Sequence, residues 1–224
     1  MFKRFNDHGD DYKYNDFHNH TSWTDGNNTA EQMIQESISK NLNSIAITDH
    51  IRETSTYFQD YYSEISTLRN KYHQKVYIGF EAKVKDYSGN IDVSIENIKL
   101  SEISIGSVHR FPQNGEFISP GEFSKNKCEE IELELSLAAI NNGTIDMIGH
   151  PGGMSIKYFG EFNINFFEKI IIECNNNNIA FDFNYRAHNN FYKELCKLLE
   201  LHNPLFGFSS DAHNINSLGS WIYL

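Results

Sequence analysis

The feature that most constrains this chain is a rhythm in which an apolar run ends in a polar loop and gives way to a segment with helical spacing, repeated about seven times. The apolar runs fall at residues 14–19, 44–48, 75–82, 103–108, 145–148, 179–183 and 204–208. Between them, segments 30–40, 57–72, 91–100, 122–141, 166–176 and 191–202 read as helices, the first through Met33, Ile34 and Ile38. Strand alternating with helix predicts parallel strands with the helices outside. Polar and metal-capable side chains follow nearly every strand's carboxyl end, and only a closed or nearly closed barrel brings all those ends to one rim. The expected fold is therefore α/β and TIM-barrel-like, one domain over residues 1–224, with 1–13 as a loose polar leader.

The first rim loop reads Asp16-Phe17-His18-Asn19-His20-Thr21-Ser22-Trp23-Thr24-Asp25-Gly26. Alternate side chains of a strand share a face, so His18 and His20 project together and can chelate one ion. Asp25 adds a carboxylate, and Gly26 permits a sharp turn before a helix. Later strand ends add His50, Glu81, His109, His150, Asp211 and His213. Each alone reads equally well as a solvated strand end, a turn residue or a histidine bonded to a carbonyl. Their joint placement at the ends of six strands is hard to obtain by chance. All nine are nitrogen or oxygen donors without a thiolate, a set that suits Zn, Mn or Fe(II). Four ligands close one structural zinc site, so nine predict two or three divalent ions with positions left open to water.

His8, His73, His188 and His202 fall in the leader, in helices or in loops and are read as ordinary. Cys128, Cys174 and Cys196 lie in helical segments and are read as free thiols. A formal charge of −11 argues against a broad nucleic-acid footprint. No apolar run is long enough to cross a bilayer, and the N-terminus lacks the apolar stretch of a signal peptide, so a cytoplasmic location is expected. No Gly-rich nucleotide cradle is present.

Taken in order, His18-x-His20 with Thr24-Asp25-Gly26, Thr48-Asp49-His50, Gly79-x-Glu81, Ser107-Val108-His109, Gly149-His150-Pro151 and Ser210-Asp211-Ala212-His213 resemble the PHP (polymerase and histidinol phosphatase) family, over residues 14–219. The resemblance implies a distorted (β/α)7 barrel with a trinuclear metal centre at its C-terminal rim. Carried over by motif, His18, His20, Glu81 and Asp211 would hold one ion. Glu81 would bridge to a second, held also by His109 and His150, and Asp25, His50 and His213 would hold the third. Many family members carry a histidine where this chain has Asp25.

The chemistry implied is hydrolysis of a small phosphomonoester, of the histidinol-phosphatase kind, by a hydroxide bridging two ions. Three divalent ions outweigh three carboxylates, a surplus that draws a phosphate dianion into an acidic protein. Arg186 stands at a strand end near where family phosphatases often place an arginine, and is expected to grip the phosphate. Arg110, Arg52 and Lys83 follow His109, His50 and Glu81 closely and are further candidates. Asp49 is expected to bond a ligand histidine. Substrate choice is assigned to loops 52–60, 84–90, 111–120 and 152–162, with Phe111 and Tyr158 as candidates. The competing functions are a nuclease or phosphoprotein phosphatase on the same barrel, and a non-catalytic metal-binding module. An amidohydrolase would need a lysine on the fourth strand, and residues 103–108 contain none. Nothing in the sequence fixes an oligomeric state.

Overall fold

The structure, a computed structural model, describes residues 1–9 and 11–221. Seven strands carry the architecture: β1 (Asn15–Asp16), β2 (Ser44–Ile47), β3 (Val76–Lys83), β4 (Ile103–Ser107), β5 (Met147–Gly149), β6 (Ala180–Asn184) and β7 (Leu205–Ser209). Each pairs in parallel with the next in chain order. The ends of this row meet. Just beyond β1, Phe17 N donates to Phe208 O at 3.1 Å and His20 N donates to Ala212 O at 2.8 Å. A parallel bridge between Asn19 and Ala212 completes the seam, so the sheet closes into a barrel as expected. Regular pairing in the first strand is shorter than 14–19, because its later residues close the barrel through scattered bonds.

Helices α1 (Ala30–Ser39), α2 (Phe58–Tyr72), α3 (Ile95–Leu100), α4 (Lys125–Asn142), α5 (Gly153–Phe159), α6 (Ile164–Asn177), α7 (Tyr185–His188) and α8 (Tyr192–His202) follow the strands. Thr29 caps α1 in a reciprocal box with Gln32, and Gly143 ends α4 at φ 72°. The span 91–100 contains less helix than its pattern predicts, because Ser94 caps the chain only before Ile95. Two loops hold structure that the pattern hid. Residues 152–162 contain α5, and 111–120 contain an antiparallel hairpin of Phe111–Gln113 with Glu116–Ile118.

The barrel floor is packed by Phe17, Ala46, Ile103, Ile105, Met147 and Ala180. A larger apolar layer, including Ile45, Ile47, Phe181 and Phe183, joins the strands to the helices. The leader is docked rather than loose. Lys3–Arg4 pairs antiparallel with β7, Phe2 packs against the floor, and the Phe5 ring meets Phe206 edge-on at 5.0 Å. Its apolar residues are too sparse for a pattern, but enough to anchor it along Leu205–Phe206, the start of β7 that the short β1 leaves unpaired. No helix among the described residues is long and apolar enough to cross a membrane.

Candidate metal centre

Glu81, near the carboxyl end of β3, is the hub of the rim and only 1% exposed. Its Oε1 lies 2.9 Å from His150 Nε2, 3.2 Å from His109 Nε2 and 3.5 Å from His18 Nε2. Its Oε2 lies 3.0 Å from His50 Nδ1 and 3.5 Å from His20 Nε2. Asp211 Oδ1 is 3.2 Å from His20 Nε2 and 3.9 Å from His18 Nε2. Asp25 Oδ2 is 3.3 Å from His50 Nε2 and 3.2 Å from His213 Nε2, while its Oδ1 is 3.5 Å from His20 Nδ1.

Three groups of donors each gather within 4.8 Å: His18-His20-Asp211, His50-Glu81-His109, and His20-Asp25-His50-His213. His150 joins them through Glu81. Donors around a tetrahedral zinc, at bond lengths near 2.0–2.1 Å, sit about 3.3 Å apart, close to most of these spacings. The groups overlap the sets implied by motif without coinciding with them: His50 and His20 each face two clusters.

The donors fit a cation on a second count. Among the described residues, His18 Nε2, His20 Nδ1 and His20 Nε2 are buried without a hydrogen-bond partner. An unsatisfied buried polar atom costs about 1–3 kcal/mol, and a metal ion bound by the lone pair removes that cost. Burial alone would raise the Glu81 carboxyl, but the surrounding imidazoles, His109 and His18 foremost, hold it well below the usual carboxylate range. Burial likewise opposes ionisation of Asp211, and the neighbouring His20 and His18 imidazoles outweigh it. His20 itself is pushed down by burial, towards the neutral form that ligates.

Local backbone choices aim these groups. His150 has φ 27° and Asp211 has φ 53°, left-handed conformations that side-chain-bearing residues adopt at some cost and that concentrate at functional sites. Before His150, a Cβ on Gly149 would fall 2.1 Å from Ser107 Oγ, so only glycine lets β5 lie against β4 at that height.

A ring of buried acids supports the rim. Asp182 Oδ2 accepts from His150 N at 2.9 Å and lies 3.4 Å from His18 Nδ1, and Ser209 Oγ donates to its Oδ1. Asp16, raised to about 6 by burial, accepts from Ser210 N at 3.0 Å, from Ser210 Oγ at 2.6 Å and from Gly219 N at 3.0 Å, fixing the residue before Asp211. Glu132 accepts from Met154 N and Ser155 N, at 2.9 and 2.8 Å, and ties α5 to α4.

The expectation for Asp49 is corrected. Its carboxylate accepts from Thr21 N at 2.9 Å, Thr21 Oγ1 at 2.8 Å and Thr24 Oγ1 at 2.7 Å, not from a histidine. It braces the loop between His20 and Asp25, and the acid that meets a candidate ligand imidazole is Asp182, beside His18. His188, read as ordinary, is fully buried: Asn184 N donates to its Nδ1 at 3.1 Å, and its Nε2 donates to Pro151 O at 2.8 Å. That staples α7 to the residue after His150.

A cavity of about 1060 Å³ opens above the centre, lined by His50, Glu81, His109, His150, Asp211 and His213 on one side and by Asn184, Arg186, Lys157 and Ser217 on others. The Arg186 guanidinium is exposed, with Nη1 4.0 Å from Asp211 Oδ2. Arg110 lines a neighbouring cavity of about 270 Å³ with His50, His109 and Tyr158. Lys157 lines both cavities; its place on α5 is hidden in the sequence, where residues 152–162 have the composition of a loop. Lys83 is engaged elsewhere, 3.8 Å from Asp92 Oδ2 and 3.4 Å above the Phe117 ring. Arg52 is exposed and lines neither cavity. Phe111 is corrected as a substrate contact: it is fully buried and packs on Phe123.

The family model described as PHP domain matches residues 16–200. A Caldicellulosiruptor saccharolyticus protein named "Probable phosphatase" is 28% identical over 191 residues, covering 83% of this chain and 74% of that protein. The Bacillus subtilis "DNA polymerase/3'-5' exonuclease PolX" is 24% identical over 212 residues, covering 91% of this chain but 35% of that one. A Listeria monocytogenes crystal structure, provisionally described as a histidinol phosphatase, superposes with a TM-score of 0.73 at 18% identity, covering 92% of this chain and 97% of that one. At that identity the likeness speaks for the fold.

Proposed function

This chain belongs to the PHP domain family, and from that premise we propose that it is a metal-dependent hydrolase of small phosphomonoesters. The observation that carries the reading is the convergence of Glu81, Asp25, Asp211 and six histidines on one rim, with imidazole nitrogens of His18 and His20 buried and unpartnered. His18, His20, Glu81 and Asp211 would hold one ion, His109 and His150 a second shared with Glu81, and Asp25, His50 and His213 a third. Bound divalent ions supply an activated water near neutral pH and offset charge on the phosphoryl group.

The protein's own groups do the rest. Arg186 reaches over Asp211 into the cavity and binds the phosphate from the solvent side, with Arg110 and Lys157 adding positive charge at the mouth. Asp182, Asp16 and Asp49 hold the strand ends that carry the donors. No protein nucleophile is required, so no phosphoenzyme forms. The net charge of −11 supports a small substrate over a nucleic acid.

The test is turnover by protein loaded with Zn, Mn or Fe(II), using p-nitrophenyl phosphate, histidinol phosphate and single-stranded DNA. Phosphate release from a monoester supports the reading. DNA cleavage without monoester turnover overturns it in favour of a nuclease, and no cleavage of either in the loaded protein leaves a metal-binding module.

A further inference from the structure

Strand β6 alternates between two environments. Phe181 and Phe183 point into the outer apolar layer, while Ala180 belongs to the barrel floor and Asp182 meets His18 and His150 inside. Asn184 is the next inward position, one step nearer the rim. It is registered against Ser209, which directly precedes Ser210 and Asp211. Asn184 is 1% exposed, yet it lines the large cavity together with Arg186. Its Oδ1 accepts from Ala187 N at 3.0 Å, which fixes the orientation of the amide. The opposite end, Nδ2, is buried without a partner among the described residues. Flipping the amide would set its NH2 against the Ala187 N–H. The turn is held from below as well, since Asn184 N donates to the His188 ring.

A buried, oriented NH2 at the rim of a cation site needs an acceptor, and a metal ion is not one. A phosphoryl oxygen is. We infer that Asn184 is a substrate-positioning residue whose Nδ2 donates to a non-bridging oxygen of the bound phosphomonoester, on the flank shared with Arg186. This rests on the phosphatase reading and adds a neutral, directional contact to it.

The test uses the metal-loaded protein with inorganic phosphate as the probe, by calorimetry, beside steady-state kinetics on p-nitrophenyl phosphate. Asn184→Asp keeps an oxygen for Ala187 N and replaces the donor with an acceptor. It is expected to weaken phosphate binding and raise KM by about tenfold or more, with melting temperature and metal content unchanged. Asn184→Ala removes both contacts and should lower the melting temperature as well as weaken phosphate binding. If either folded variant binds phosphate within about twofold of the wild type, the amide serves only the turn and the assignment is wrong. If the loaded wild type neither binds phosphate nor releases it from the ester, the phosphatase reading falls, and the assignment with it.

Discussion

His18 Nδ1 lies 3.4 Å from Asp182 Oδ2, and with Nδ1–H turned to that carboxylate the Nε2 lone pair faces Glu81 and Asp211. One buried acid thereby selects the tautomer that can ligate, and the same Asp182 oxygen accepts from the backbone N of His150, another candidate ligand. Two strand ends that carry candidate metal ligands thus share one anchor.

Asp182→Asn is expected to lower metal affinity about 10–100-fold while leaving a folded barrel. Chelator competition measures it. Wild-type affinity in the variant would show that His18 needs no help from Asp182.

Glu81 touches more of the donors than any other group, so Glu81→Ala, like His18→Ala, is expected to abolish turnover with the fold kept. Circular dichroism and phosphate release read the two properties separately. A wild-type rate from either variant refutes the site.

The basic residues separate into two kinds. Arg186→Ala is expected to raise KM for a phosphomonoester about tenfold or more, because its guanidinium overlooks Asp211 at the cavity. Lys83→Ala is expected to leave kcat/KM near wild type, since its ammonium serves Asp92 and the Phe117 ring. Equal losses in the two variants would contradict this division.

His188 links pH to stability. Burial, the largest influence, lowers its pKa from 6.5 to about 4. The neutral ring accepts from Asn184 N through Nδ1, and protonation would set two N–H groups against each other. The folded value lies below the unfolded one, so this stabilisation is fully present above 6.5 and is lost as pH falls through about 4. The shift corresponds to roughly 3 kcal/mol. The gap in unfolding free energy between wild type and His188→Gln, measured in urea, is expected to shrink by up to that amount between about pH 7 and pH 4. A gap independent of pH would show that the ring is not buried neutral.

The barrel was legible because its strands end in polar residues: His18, His50, His109 and His150 each follow an apolar run, and that punctuation survives without any contact information. Asp182 was not, since it sits inside Phe181-Asp182-Phe183 and an acid within an apolar run looks like strand interior until the barrel shows which way it points. Adjacency to His50 suggested Asp49 as a histidine's partner, but Asp49 lies in the loop past the end of β2 and its carboxylate turns to Thr21 and Thr24. The helix bearing Lys157 was hidden by Gly152, Gly153 and Gly160, which read as loop; Glu132, distant in sequence, supplies its N-terminal acceptors.

The most direct measurement is anomalous diffraction from crystals of the protein soaked in zinc or manganese. Two or three peaks are expected, each bounded by donors from His18, His20, Asp25, His50, Glu81, His109, His150, Asp211 and His213. Metal elsewhere on the surface, with none among those side chains, would contradict the account.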